Sequence, residues 1–151
     1  ISLGLVGSEM CIRDSTRTPE HYDVVVTSNM FGDIATDLAS VLQGGMGMAG
    51  SGNIGDEHAF FEPVHGSAPK YAGMNKVNPI ASVNSIQMMM DWLGRKDGNA
   101  EILEIAKAIE QSVSAHLSEG KHLTYDLGGN ASCSMVGDLI SQRLAKSLSE
   151  R

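Results

Sequence analysis

With 151 residues and 42% hydrophobic content, the chain holds material for at most one ordinary domain, and its composition is not that of a disordered protein. A net charge of -7 with scattered Lys and Arg argues against a nucleic-acid surface, which needs clustered basic residues, and directs attention to small molecules or protein partners. No apolar run approaches the ~20 residues that a bilayer crossing requires, so no membrane role is expected. Ser2-Leu-Gly-Leu-Val-Gly7 is short for a signal-peptide core and has no basic residue before it. Cys11 and Cys133 lack paired or metal-ligand spacing, which predicts free thiols and a cytoplasmic protein.

Residues 1–15 have neither helical nor strand period and read as foreign sequence, of the kind translated from a sequencing adapter. The native chain is then expected to start near Thr16, with its gene extending upstream. Tyr22-Asp-Val-Val-Val-Thr27 is a β-branched apolar run that predicts a buried strand of a parallel sheet. From about Asp33 to Leu42, the apolar residues Ile34, Leu38, Val41 and Leu42 fall at i, i+4, i+7 and i+8, which predicts one packed helix face. Gly44 to Gly55 is a glycine-dense stretch predicted as loop and as a domain crossing.

A short strand is predicted over His58–Pro63, closed by the proline. Asn78-Pro79 supplies an N-cap and a first-turn proline for a Met-rich helix predicted to run to Gly94 and to be deeply buried. Asn99 to Glu119 predicts an amphipathic helix with Ile102, Ile105, Ala106, Ile109 and Val113 inward and Gly120 as its stop. A last helix, from about Ser134 to Leu148, turns Val136, Leu139, Ile140, Leu144 and Leu148 inward. Gly45-Met-Gly-Met-Ala-Gly50 matches the G-x-G-x-x-G string, but it follows a helix and leads into more flexible sequence, so it is not a dinucleotide fingerprint.

Asp33 and Asp37 stand one helical turn apart, so both carboxylates can reach one hard cation such as Mg²⁺ or Mn²⁺. The competing explanation is the helix dipole, which favours acidic residues in the first turn of any helix.

Three motifs in colinear order set these aspartates in context. They are Thr27-Ser-Asn-Met-Phe-Gly-Asp-Ile-Ala-Thr-Asp37, Phe61-Glu-Pro-Val-His-Gly-Ser-Ala-Pro-Lys-Tyr-Ala-Gly73 and Val77-Asn-Pro79. Together they closely resemble the isocitrate and isopropylmalate dehydrogenase family, from about Thr18 to the C-terminus. The resemblance implies an α/β fold of the isopropylmalate dehydrogenase type, three-layered and not a Rossmann fold, of which only the C-terminal portion is present. Residues 16–43 would belong to the small subunit-contacting domain and 44–151 to the large cofactor domain. The family's homodimer would use the stripe of Ile34, Leu38, Val41 and Leu42.

By the same resemblance, Asp33 and Asp37 take the places of two metal ligands, with a third carboxylate expected from the partner subunit. His65, Gly66, Ser67 and Ala68 match the cofactor loop, and Asn78 matches a residue that contacts the adenine while also serving as an N-cap. Lys70, Tyr71 and Tyr125 occupy positions that suit a 2′-phosphate, which favours NADP over NAD. Gly129 stands where NADP-using isocitrate enzymes have an arginine, so NAD stays open. No catalytic residue is expected in this stretch, because the family's tyrosine, lysine and substrate-binding arginines lie upstream. The implied activity is metal-dependent oxidative β-decarboxylation of a 2-hydroxy acid such as isocitrate or 3-isopropylmalate, and the 151-residue chain alone is expected to be inactive. Two other readings are a non-catalytic regulatory subunit of the same family and an unrelated nucleotide-binding module.

Overall fold

The computed structural model describes residues 14–150, so residues 1–13 of the stretch read as foreign, Cys11 among them, lie outside it. The described chain falls into two compact units, one ending at Gly45 and the other starting at Met46.

In the first unit, residues 14–17 are helical and a 3₁₀ turn covers Pro19–His21. The strand predicted over residues 22–27 does not form. A strand is held by its ladder, and among the described residues nothing pairs with this run, which leaves Val24 and Val26 exposed. The helix that follows, α1, spans Asn29–Ala39 and starts four residues earlier than predicted, then tightens into a 3₁₀ turn over Ser40–Gln43. Gly44, in the left-handed region at φ 101°, ends it. The predicted face is present, but no residue of α1 is buried, and Ile34 remains 54% exposed.

The second unit begins with a hairpin. β1 is Gly50–Ile54 and β2 is Ala59–Pro63, paired antiparallel from Gly50 opposite Pro63 to Ile54 opposite Ala59. β2 meets the expectation; β1 and the antiparallel pairing correct it, because the glycine stretch was predicted as loop and the sheet as parallel. The glycines serve close approach. A Cβ on Gly50 would stand 3.1 Å from the Ser85 backbone nitrogen, and one on Gly52 would stand 3.0 Å from the Phe61 ring. Side chains here would push the strand off the helix behind it. The G-x-G-x-x-G string therefore runs into a strand rather than a helix.

That helix, α2, spans Ile80–Asp97. Asn78 Oδ1 accepts from the Ile80 amide at 3.0 Å, but the N-cap position falls on Pro79, one residue later than predicted, because the first helical hydrogen bonds go to the Pro79 carbonyl. Gly94 is not the stop; the helix runs on to Gly98 in the left-handed conformation. Gly94 is instead a contact point, since a Cβ there would lie 2.8 Å from Leu103 on the next helix. Burial of α2 is shallower than predicted: Ile80, Ala81, Ser85 and Gly94 are buried, whereas Ile86 and Met89 face out.

α3 spans Ala100–Glu119, with Asn99 accepting from the amides of Glu101 and Ile102 and Gly120 ending it. α4 spans Cys133–Ser149, capped by Ser132, which accepts from the Met135 amide. Of the residues predicted inward, Ala106, Ile109, Val113, Val136 and Ile140 are buried, while Leu148 is exposed. The core gathers Met48, Ile80, Val113, Ala131, Val136 and Ile140 from several parts of this unit. Among the described residues no helix is long and apolar enough to cross a membrane, and Cys133 is a free thiol.

Candidate functional site

Asp33 and Asp37 project from α1 as exposed carboxylates. Asn29 Nδ2 donates to Asp33 Oδ2 at 3.4 Å, and the Ser40 hydroxyl donates to the Asp37 carbonyl at 2.7 Å. Because the helix starts at Asn29, its first turn holds no acidic residue, and both aspartates sit beyond it. The dipole explanation, which acts within the first turn, therefore does not account for them. Two carboxylates spaced i, i+4 and open to solvent fit a hard divalent cation that completes its shell with other oxygens. Among the described residues no group of three or more His, Cys, Asp or Glu side chains could hold a metal by itself.

In the second unit, His65, Gly66, Ser67 and Ala68 form a short loop after β2, exposed except for the half-buried His65. His65 Nδ1 lies 2.9 Å from the Gly66 carbonyl oxygen, which orients the ring. A Cβ added to Gly66 would meet nothing within 4 Å. Ala68 adopts φ 43°, a left-handed conformation costly for a residue with a Cβ, and launches the 3₁₀ turn Pro69–Tyr71. A ligand could approach this backbone closely.

The fold brings Lys70, Tyr71 and Tyr125 together from two distant stretches of sequence. The two tyrosine rings lie 5.7 Å apart, and Lys70 Nζ is 5.5 Å from the Tyr71 centroid. A residue that the sequence did not single out, Lys76, joins them: its Nζ is 4.4 Å from the Tyr125 ring and 5.9 Å from the Tyr71 ring. Tyr71 is held below the ordinary phenol range, first by its hydrogen bond with Tyr125 and then by the charge of Lys70. Tyr125 is raised, chiefly by the same hydrogen bond.

Asn78 is used differently from its neighbours. It is buried; its side chain donates to Asp126 Oδ2 at 3.0 Å and accepts from the Ile80 amide at 3.0 Å, so both ends of the amide are engaged within the fold. Asp126, also missed in sequence, has only its position beside Tyr125 as a signal. At Gly129 a Cβ would fall 1.9 Å from the Leu123 carbonyl oxygen. No side chain fits there on this backbone.

Comparison with known proteins gives the family and the fold. Residues 10–140 match the family model described as isocitrate/isopropylmalate dehydrogenase. The homoisocitrate dehydrogenase of Methanocaldococcus jannaschii is 48% identical over 130 residues, which cover 86% of this chain and 35% of that protein. A regulatory component of the mitochondrial NAD isocitrate dehydrogenase of Dictyostelium discoideum is 44% identical over 87% of this chain and 36% of its own length. Among solved structures, the isocitrate dehydrogenase of Methylococcus capsulatus superposes with a TM-score of 0.79 at 35% identity, covering 89% of this chain and 38% of that one. The chain belongs to the isocitrate/isopropylmalate dehydrogenase family and carries the C-terminal portion of its α/β fold. It spans less than two fifths of the length of each of these relatives.

Proposed function

We propose that this chain is the metal- and nucleotide-binding portion of an enzyme that oxidises a 2-hydroxy acid, of the isocitrate or 3-isopropylmalate type, with NAD(P) and then releases CO₂. The observation that carries the reading is the convergence of Lys70, Tyr71 and Tyr125 beside the open loop of His65, Gly66, Ser67 and Ala68. Cations and phenol hydroxyls grouped in this way suit a phosphorylated adenosine, and an exposed backbone loop suits the rest of the dinucleotide. Lys70 and its neighbours support NADP over NAD.

Asp33 and Asp37 would hold the Mg²⁺ or Mn²⁺, with further oxygens from the substrate and from the other protomer. Such a cation supplies charge stabilisation to the hydroxy acid while electrons leave it. The proton-transferring tyrosine and lysine, and the arginines that select the substrate, belong to the upstream part of the enzyme. Pairing of α1 with its counterpart in a homodimer would cover Ile34, Leu38, Val41 and Leu42, all of them exposed. A cytoplasmic setting completes the proposal and suits the free thiol of Cys133.

The test is turnover by a full-length enzyme carrying this chain, given isocitrate or 3-isopropylmalate, Mg²⁺ and either nicotinamide cofactor. Metal-dependent reduction of the cofactor is expected, faster with NADP. Nucleotide binding without turnover under every condition overturns the reading in favour of the regulatory role that one relative's name records.

A further inference from the structure

The tyrosine and lysine cluster contains one cation more than the sequence motifs require. We propose that Lys76 is a specificity-determining residue of this chain, supplying the second positive charge to an adenosine 2′-phosphate in place of any side chain at position 129. The inference rests on the NADP reading above and extends it.

Three observations carry it. First, position 129 is closed. The Leu123 carbonyl that its Cβ would strike also accepts from the Ala131 amide at 2.9 Å, while the Gly129 amide donates to Thr124, so the backbone is tied where it stands. No cation can enter the cluster from there without rebuilding the loop.

Second, Lys76 already lies over the Tyr125 ring at 4.4 Å, whereas Lys70 lies by Tyr71 at 5.5 Å. The phenol pair is thus flanked by two ammonium groups. A phosphate dianion seated against the tyrosine hydroxyls would meet a lysine associated with each ring, and charge-assisted hydrogen bonds of this kind outweigh neutral ones.

Third, Lys76 is mounted on a fixed segment. Asn75, at φ 51°, accepts from the Ser134 amide at 2.9 Å and donates to the Ser134 hydroxyl at 2.8 Å, and its own carbonyl accepts from the Cys133 amide. On the other side, Asn78 is tied to Asp126, the residue next to Tyr125. The backbone around Lys76 is therefore tied on one side to the start of α4 and on the other to the residue next to Tyr125. Such anchoring spares the backbone part of the ordering cost on binding.

Calorimetric titration of a full-length enzyme carrying this chain with adenosine 2′,5′-bisphosphate and with 5′-AMP tests this. The wild type should bind the bisphosphate more tightly. Lys76→Met should erode that preference by about tenfold, leaving 5′-AMP affinity unchanged, and Lys76→Arg should retain it. Lys107→Met, on the exposed side of α3, should change neither affinity. Circular dichroism verifies that each variant is folded, and Lys76→Gln is the second neutral substitution. A wild-type preference that survives both Lys76→Met and Lys76→Gln overturns the role of Lys76 and leaves the NADP reading standing. A wild type that binds 5′-AMP at least as tightly as the bisphosphate overturns both.

Discussion

The two units put similar apolar patterns to opposite use. In α1, Ile34 and Leu38 form a helical stripe that stays exposed, and the helix buries none of its residues. In α3 and α4, stripes of the same period bury Ile109, Val113, Val136 and Ile140, and the core they build also takes in Ile80. Periodicity fixes which face of a helix seeks cover, but whether cover exists within the chain depends on what else the chain supplies. The second unit supplies it; the first leaves its apolar face exposed.

The largest contrast should appear on truncating one isoleucine from each unit. Ile80→Ala removes a side chain that is 1% exposed at the centre of the core, and should cost about 2–5 kcal/mol of folding stability in urea melts. Ile34→Ala, at 54% exposure, should stay within about 0.5 kcal/mol. Comparable losses at both positions would show that the α1 stripe is covered within the chain, and the comparison would fail.

A middle-sized effect comes from a buried group in the second unit. His116 on α3 is 2% exposed and its Nε2 has no hydrogen-bond partner. Burial pushes its pKa below the ordinary histidine value, helped by the charges of Arg143 and His122 and opposed by Glu119. The unfolded chain then takes up this proton before the folded chain does, so stability is full above about pH 6.5 and falls as the pH drops from there through the depressed folded value. Urea midpoints measured from about pH 7.5 down to about 5.5 should decline accordingly, and His116→Leu should flatten the decline. An unchanged slope in that variant would move the cause elsewhere. Glu119, lowered mainly by its hydrogen bond with Arg143, acts in a more acidic window.

How much of this was legible in the sequence follows the same divide. α3 and α4 could be read almost to the residue, because Asn99 and Gly120 mark the ends of α3 chemically and local periodicity sets the faces of both. The strand expected at residues 22–27 failed because β-branched composition describes a residue's fitness for a sheet and says nothing of the neighbour it needs. β1 was missed for the converse reason. Glycines that discourage a strand in isolation are what let this one lie against Ser85 and Phe61, a tertiary fact with no local signature. Lys70, Tyr71 and Tyr125 could be singled out as candidates because they stand in motifs that resemble the family's, whereas the approach of Lys76 to Tyr125 and of Asp126 to Asn78 emerges only when two distant loops are brought together. The start of α1 mattered too: moving it from Asp33 to Asn29 removed the dipole explanation for the aspartates.

The smallest expected effect on folding falls on the first unit and sharpens the comparison most. Asp37→Asn keeps the side-chain volume and leaves the α1 backbone bonds alone, including the carbonyl of residue 37 that accepts from Ser40. On an exposed helix position it should shift stability by less than about 0.5 kcal/mol. If the carboxylate is a metal ligand, the same change deletes a charge from a site built of few donors, and the Mg²⁺ concentration needed for turnover by the full-length enzyme should rise steeply. A structural carboxylate would give the opposite ratio: a loss of folding stability with an unaltered metal requirement. The expected separation, activity lost while stability is kept, is the mirror image of Ile80→Ala, where stability is lost first.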